Sequence, residues 1–162
     1  PEQECVAAAL VRMTERALLP GGGSLEDVFT DGLDFLVLVP RFTTLQQQTA
    51  ARVQKMGLAD GAGGSIGQRV IMYQARSGSG TSKMFQRFKS ESETHSKRLF
   101  CIIADECHWG ATKTGAYSQF VNQFGDGDKR QKNVVILLVS ATPYNCLTRD
   151  SRVTQPDNVL KW

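Results

Sequence analysis

The residues with the most chemical content are Asp105-Glu106-Cys107-His108, which interrupt the apolar run Leu99-Phe100-Cys101-Ile102-Ile103-Ala104. Two adjacent carboxylates directly after a buried strand suit magnesium-assisted phosphoryl transfer. Asp105 can hold Mg2+ through its water shell, because that hard cation prefers oxygen ligands. Glu106 can then orient or deprotonate an attacking water. His108 can hydrogen-bond a neighbouring polar group, and the hydroxyls of Ser140 and Thr142, after the next apolar run, are suitable partners for it. Simpler readings compete. Acidic residues after a strand often only favour the start of a helix, and a lone histidine is usually structural. A zinc site from Cys101, Cys107, His108 and Cys146 lacks the short CxxC spacing and its matching pair, so Cys107 reads as a space-filler.

These residues need elements to position them. Residues 3–19 carry helix formers with apolar residues at helical spacing, and the run ends at Pro20-Gly21-Gly22-Gly23. Residues 34–40 form a continuous apolar run closed by proline, as expected of a strand buried on both faces. Residues 43–56 read as a helix with Thr43 or Thr44 as N-cap. A Gly-rich loop at 60–65 leads to a short strand at 69–74. The Gly/Ser stretch 77–82 precedes a basic helix at 83–89, and the polar stretch 90–96 reads as exposed. A strand then leads into the Asp-Glu pair, followed by a helix at 115–124, a charged turn at 126–132 and a fourth strand at 133–139. Apolar strands alternating with helices predict an α/β domain with a mostly parallel sheet. In such sheets ligands sit beyond the carboxyl ends of the strands. Pro40-Arg41, Gln74-Ala75-Arg76, Asp105 to His108 and Ser140-Ala141-Thr142 therefore fall along one edge.

The 162 residues suffice for one domain with a real core. No apolar stretch is long enough to span a bilayer, and the acidic start PEQEC does not resemble a secretory signal. The absence of a first methionine is expected of a fragment or excised domain. Four scattered cysteines do not form a disulfide framework, which favours an intracellular, reducing compartment, cytoplasm or nucleus. The net charge of +3 is unevenly spread. Residues 1–40 hold two basic and seven acidic side chains, residues 41–98 ten and three, and residues 99–162 seven and six. A basic middle segment points to a polyanion, although an ordinary solvated surface explains the charge equally well.

Taken together, the motifs resemble those of the first RecA-like domain of superfamily 2 helicases and translocases, the DEAD/DEAH-like group. Asp105-Glu106-Cys107-His108 is similar to motif II and Ser140-Ala141-Thr142 to motif III. Residues 36–48, with Val39-Pro40-Arg41-Phe42-Thr43-Thr44-Leu45-Gln46-Gln47, resemble motif Ia. Residues 71–76, with Tyr73-Gln74-Ala75, resemble motif Ib in its restriction-enzyme-subunit/UvrB-like form, a branch that Pro143 after the Ser-Ala-Thr triplet also fits. The resemblance implies a three-layer RecA-like (P-loop NTPase-type) α/β fold, with the whole chain, 1–162, a single partial ATP-binding domain. It implies ATP and Mg2+ as cofactors, Asp105 on magnesium, Glu106 activating water, and His108, Ser140 and Thr142 coupling hydrolysis to nucleic acid. Arg41, Phe42, Gln74 and Arg76 become candidates for contact with the sugar-phosphate backbone, DNA in preference to RNA, with little sequence preference.

One part of the pattern is missing. Motif I needs glycine before Lys-Ser/Thr so that backbone amides cradle the phosphates. The nearest stretch, Gly80-Thr81-Ser82-Lys83-Met84, has serine before the lysine and methionine after it, and lies between motifs Ib and II. The loop is expected upstream of Pro1, and a second RecA-like domain beyond Trp162. Alone, the chain should bind ATP weakly and hydrolyse it negligibly. Two other readings stay open: a degenerate helicase-like module that binds nucleic acid or protein without hydrolysis, and a metal-dependent nuclease or phosphatase. The latter needs further carboxylates or histidines at strand ends, where Pro40, Gln74 and Ser140 are poor ligands.

Overall fold

The computed structural model of the chain describes residues 2–56, 66–72, 83–107, 122–124 and 131–141. Its elements in chain order are α1 (Glu2–Leu18), α2 (Leu25–Val28), β1 (Leu33–Val39), α3 (Thr43–Lys55), β2 (Val70–Met72), α4 (Lys83–Thr94), β3 (Leu99–Ala104) and β4 (Val134–Leu138). Short 3-10 turns lie at Ile66–Arg69 and Asn122–Phe124. The four strands form one sheet in the order β2-β1-β3-β4, and every neighbouring pair is parallel. The fold is thus α/β with an all-parallel sheet, consistent with a RecA-like helicase-type domain.

The strand order follows from the connections. From β1 the chain steps outward through α3 to β2, then returns through α4 across β1 to β3, and continues to β4. Right-handed crossovers running in opposite directions place their helices on opposite faces of the sheet. The packing agrees. Val53, Leu45 and Ala50 of α3 cover Val37, Val39 and Val70 on one face. Phe85 and Phe88 of α4, with Phe124, cover Leu36, Leu38, Phe100, Ile102 and Val134 on the other. Phe88 meets Phe100 and Phe124 edge-to-face, with centroids 5.2 and 6.2 Å apart. Each such ring, fully buried, contributes about 1.5–3 kcal/mol.

Two buried polar clusters fix this arrangement at the edge away from the strands' carboxyl ends. Asp34 near the start of β1 accepts from Arg69 at 2.5 Å and from the Phe35 N–H at 2.8 Å, tying the turn before β2 to β1. Both side chains of the pair are buried. Asn133, just before β4, aims its amide at the carbonyls of Ser92 (3.0 Å), His95 (3.1 Å) and Arg98 (3.3 Å). It thereby satisfies carbonyls that the end of α4 would otherwise leave without donors.

Three expectations change. Neither Thr43 nor Thr44 caps α3; Phe42 stands at the N-cap position with no side-chain cap bond, and Thr43 begins the helix. The stretch 90–96 is not uniformly exposed, since α4 runs on to Thr94 and Ser92 is only 2% exposed. The short helix α2, capped by Ser24 accepting from the Glu26 N–H, was not anticipated. The expected loop at 60–65, the last two residues of the strand at 69–74, most of the helix at 115–124 and most of the turn at 126–132 lie outside the described residues. Among the described residues no helix is long and apolar enough to cross a membrane.

Candidate functional site

In a doubly wound sheet the ligand crevice opens beyond the carboxyl ends of the two adjacent strands from which the connections diverge. Here those strands are β1 and β3, because β1 leads outward to β2 and β3 outward to β4. The residues that leave β3 at that point are Asp105, Glu106 and Cys107. The carboxylate pair singled out by residue type thus lies at the place the topology assigns to a ligand.

The turn is clamped from both sides. Asp105 N–H donates to the Leu38 carbonyl of β1 at 2.9 Å, and Cys107 N–H donates to the Val139 carbonyl beyond β4 at 3.1 Å. Val139 N–H in turn donates to the Ala104 carbonyl at 2.9 Å. Asp105 Oδ1 accepts from the N–H of the next residue, Glu106, at 3.0 Å. Cys107 drops into the core on the α4 face and is 1% exposed. Held at both ends, Glu106 takes up φ +48°, the one positive φ outside glycine among the described residues. That left-handed conformation costs an L-residue roughly 1–2 kcal/mol. Both carboxylates stay half-buried, open to a ligand yet shielded from bulk water.

Asp105 and Glu106 from β3, Ser140 from the end of β4, and Arg41 and Phe42 from the end of β1 share this edge. Ser140 directly follows the residue that holds the Asp105–Cys107 turn, so the ends of β3 and β4 are linked through backbone hydrogen bonds. Arg41 is exposed, and the Phe42 ring is 52% exposed at the start of α3. Gln74, Arg76, His108 and Thr142 lie outside the described residues. Cys101 stands between Phe100 and Ile102, both packed on the α4 face, so its thiol points to the opposite face from Cys107. The two sulfurs therefore do not converge, and burial pushes the Cys101 thiol up to about 12.

Sequence reasoning missed a second feature, an open groove of about 670 Å³ along β2, lined by side chains of α3, α4 and the turn before β2. Its signal was present in Gln46, Ala50 and Gln54, spaced four apart on one face of α3.

The whole chain, residues 1–162, matches the family described as "Circularly permuted SF2 helicase found in GREB1 proteins", and the chain belongs to that family. It is 27% identical over 153 residues to human (Homo sapiens) GREB1-like protein, a match that covers 86% of the chain and 8% of that protein. It is 28% identical to mouse (Mus musculus) GREB1-like protein over the same length and with the same shares covered. The chain thus spans about a twelfth of the length of these curated relatives. No solved structure matches it. A superfamily 2 helicase-like assignment of the chain is supported at this level, and the match does not single out the restriction-subunit or UvrB branch.

Proposed function

We infer that the chain supplies the magnesium- and water-handling side of the ATP site in a nucleic-acid-dependent ATPase, a helicase or translocase. The observation that carries this reading is the Asp105-Glu106 turn at the switch point between β1 and β3, clamped on one side by Leu38 and on the other by Val139. A single half-buried carboxylate, first off the strand, is the kind of oxygen donor a hard cation takes, the rest of its shell being water and phosphate. Asp105 would hold Mg2+ through water, and the ion would neutralise phosphate charge at this edge. Glu106 takes the proton of an attacking water. Ser140, one residue beyond the backbone clamp, passes a shift of this turn to the end of β4. Arg41 and Phe42, exposed at the end of β1, offer a cation and a ring face to a polynucleotide strand, DNA before RNA. The basic stretch 41–98 carries the same sign of charge. An intracellular location follows from the same reading.

The phosphate-gripping half is expected from another segment of the parent protein. In a permuted domain an element that ordinarily precedes these motifs can follow them in the chain, so the loop need not lie upstream of Pro1. The open edge of β4 supports a further strand. Val134 to Leu138 is wholly apolar, yet among the described residues no strand pairs with its outer side, and only Val134 is fully buried. Such a run is expected in the middle of a parallel sheet.

Magnesium-dependent binding of a fluorescent ATP analogue to the full-length parent tests the assignment. Asp105→Asn is expected to abolish the magnesium dependence, and Glu106→Gln to leave binding intact. Unchanged magnesium dependence in Asp105→Asn sinks the reading. The absence of a Gly-Lys-Ser/Thr sequence in these 162 residues leaves open the second reading, a module that binds without hydrolysing. It predicts no magnesium-dependent nucleotide binding in the parent at all.

A further inference from the structure

The open groove along β2 has a directional character that the ATP site does not explain. The Leu38 carbonyl accepts from Asp105, so the backbone groups of Leu38 face β3. With the register Leu38↔Ile71, alternation turns Ile71 toward β1 and leaves the backbone groups of Val70 and Met72 facing outward. No other strand among the described residues takes them. The outward Val70 carbonyl is instead occupied by a side chain, with Gln46 Nε2 donating to it at 3.0 Å. A primary amide thus sits where the N–H of an added strand would sit.

The surroundings select the chemistry of such a strand. Gln54, Lys83 and Arg87 flank the groove, Val70 and Ile71 form part of its floor, and none of the described lining residues is a carboxylate. Lys83 and Arg87 belong to the first two turns of α4, whose positive dipole end adds to the same field. Arg87 is partly engaged by Glu91 at 2.7 Å, which leaves Lys83, exposed, as the principal cation. An apolar floor beside outward backbone groups suits alternating side chains of an extended peptide better than it suits phosphates.

We propose that the outer edge of β2 is a docking site for an extended acidic peptide of a partner protein, which adds as a strand, displaces the Gln46 amide from the Val70 carbonyl, and sets its carboxylates against Lys83. This site is separate from the ATP edge and does not depend on hydrolysis.

The test is fluorescence anisotropy of the full chain with a labelled ten-residue peptide of alternating glutamate and valine. Controls are the same peptide with lysine for glutamate, the same peptide N-methylated at alternate residues, and a labelled dT10 oligonucleotide. The glutamate peptide is expected to bind, the lysine peptide to fail, and N-methylation to weaken binding about fivefold per lost hydrogen bond. Lys83→Glu is expected to weaken binding about tenfold. Gln46→Ala should tighten it by freeing the Val70 carbonyl. Gln46→Glu should weaken it, because a carboxylate repels the peptide. Thermal melts check that each variant is folded. Equal binding of the lysine peptide, indifference to N-methylation, or weaker binding by a folded Gln46→Ala would overturn the proposal. Binding of dT10 in its place, lost in Lys83→Glu, would make the groove a nucleic-acid site and overturn it equally.

Discussion

The conformation of Glu106 makes a prediction that separates the backbone of the site from its side chain. At φ +48° an L-residue bears a cost of roughly 1–2 kcal/mol that glycine escapes. Glycine in turn costs roughly 0.5–1 kcal/mol more than alanine in lost chain entropy. Glu106→Ala and Glu106→Gly remove the same carboxylate and the same hydrogen bonds, so their difference isolates the backbone. Glu106→Gly should be the more stable of the two by about 0.5–1 kcal/mol. In a chain of 162 residues that corresponds to about 1–4 °C in thermal midpoint. Urea unfolding of the two variants side by side, with equal slopes, measures it. Because the conformation is imposed by the Leu38 and Val139 clamps, an alanine variant as stable as the glycine variant would refute the clamped turn.

Other consequences follow from the buried groups. Asp34→Asn or Arg69→Met should each destabilise the chain by about 3–5 kcal/mol, since either leaves a buried charge without its partner, and denaturant unfolding reads the loss. Asn133→Ala should cost about 1–3 kcal/mol and raise amide exchange at the end of α4, because Ser92 and His95 lose their donor. Cys101, with its thiol pushed up to about 12, holds its proton in the folded state after the unfolded chain has released it near 9. Stability from this group is therefore complete below pH 9 and falls as pH rises from 9 toward 12, by at most about 1.4 kcal/mol per pH unit. Chemical unfolding between pH 8 and 10.5 should show that slope, and Cys101→Ala should remove it.

How much of this was legible in the sequence differs by element. The strands were readable because a parallel sheet covered on both faces demands apolar runs, and residues 35–39, Val70–Met72, Leu99–Ala104 and Val134–Leu138 supply them. The place of Asp105 and Glu106 at the carboxyl end of β3 was readable because the apolar run stops there. The extension of α4 to Thr94 was not, since it rests on long-range and spaced contacts. Arg87 pairs with Glu91 and Lys89 with Glu93 on its open face, while Ser92 meets Gln131 from a distant part of the chain. Nor was the left-handed turn at Glu106, which no residue type announces and which hydrogen bonds from two other strands enforce. The groove along β2 escaped for the same reason. It exists only where α3, α4 and the edge strand meet, although the glutamine spacing on α3 hinted at a shared face.

The central claim is that Asp105 and Glu106 form the magnesium and water half of an ATP site coupled to nucleic acid. Its most direct test is steady-state ATP turnover by the full-length parent, with and without single-stranded DNA, in the wild type and in Glu106→Gln. The account predicts turnover that rises when DNA is added and falls by about 100-fold or more in Glu106→Gln, with nucleotide binding retained. Turnover unchanged in Glu106→Gln, or no turnover by the wild-type protein with or without DNA, would contradict it.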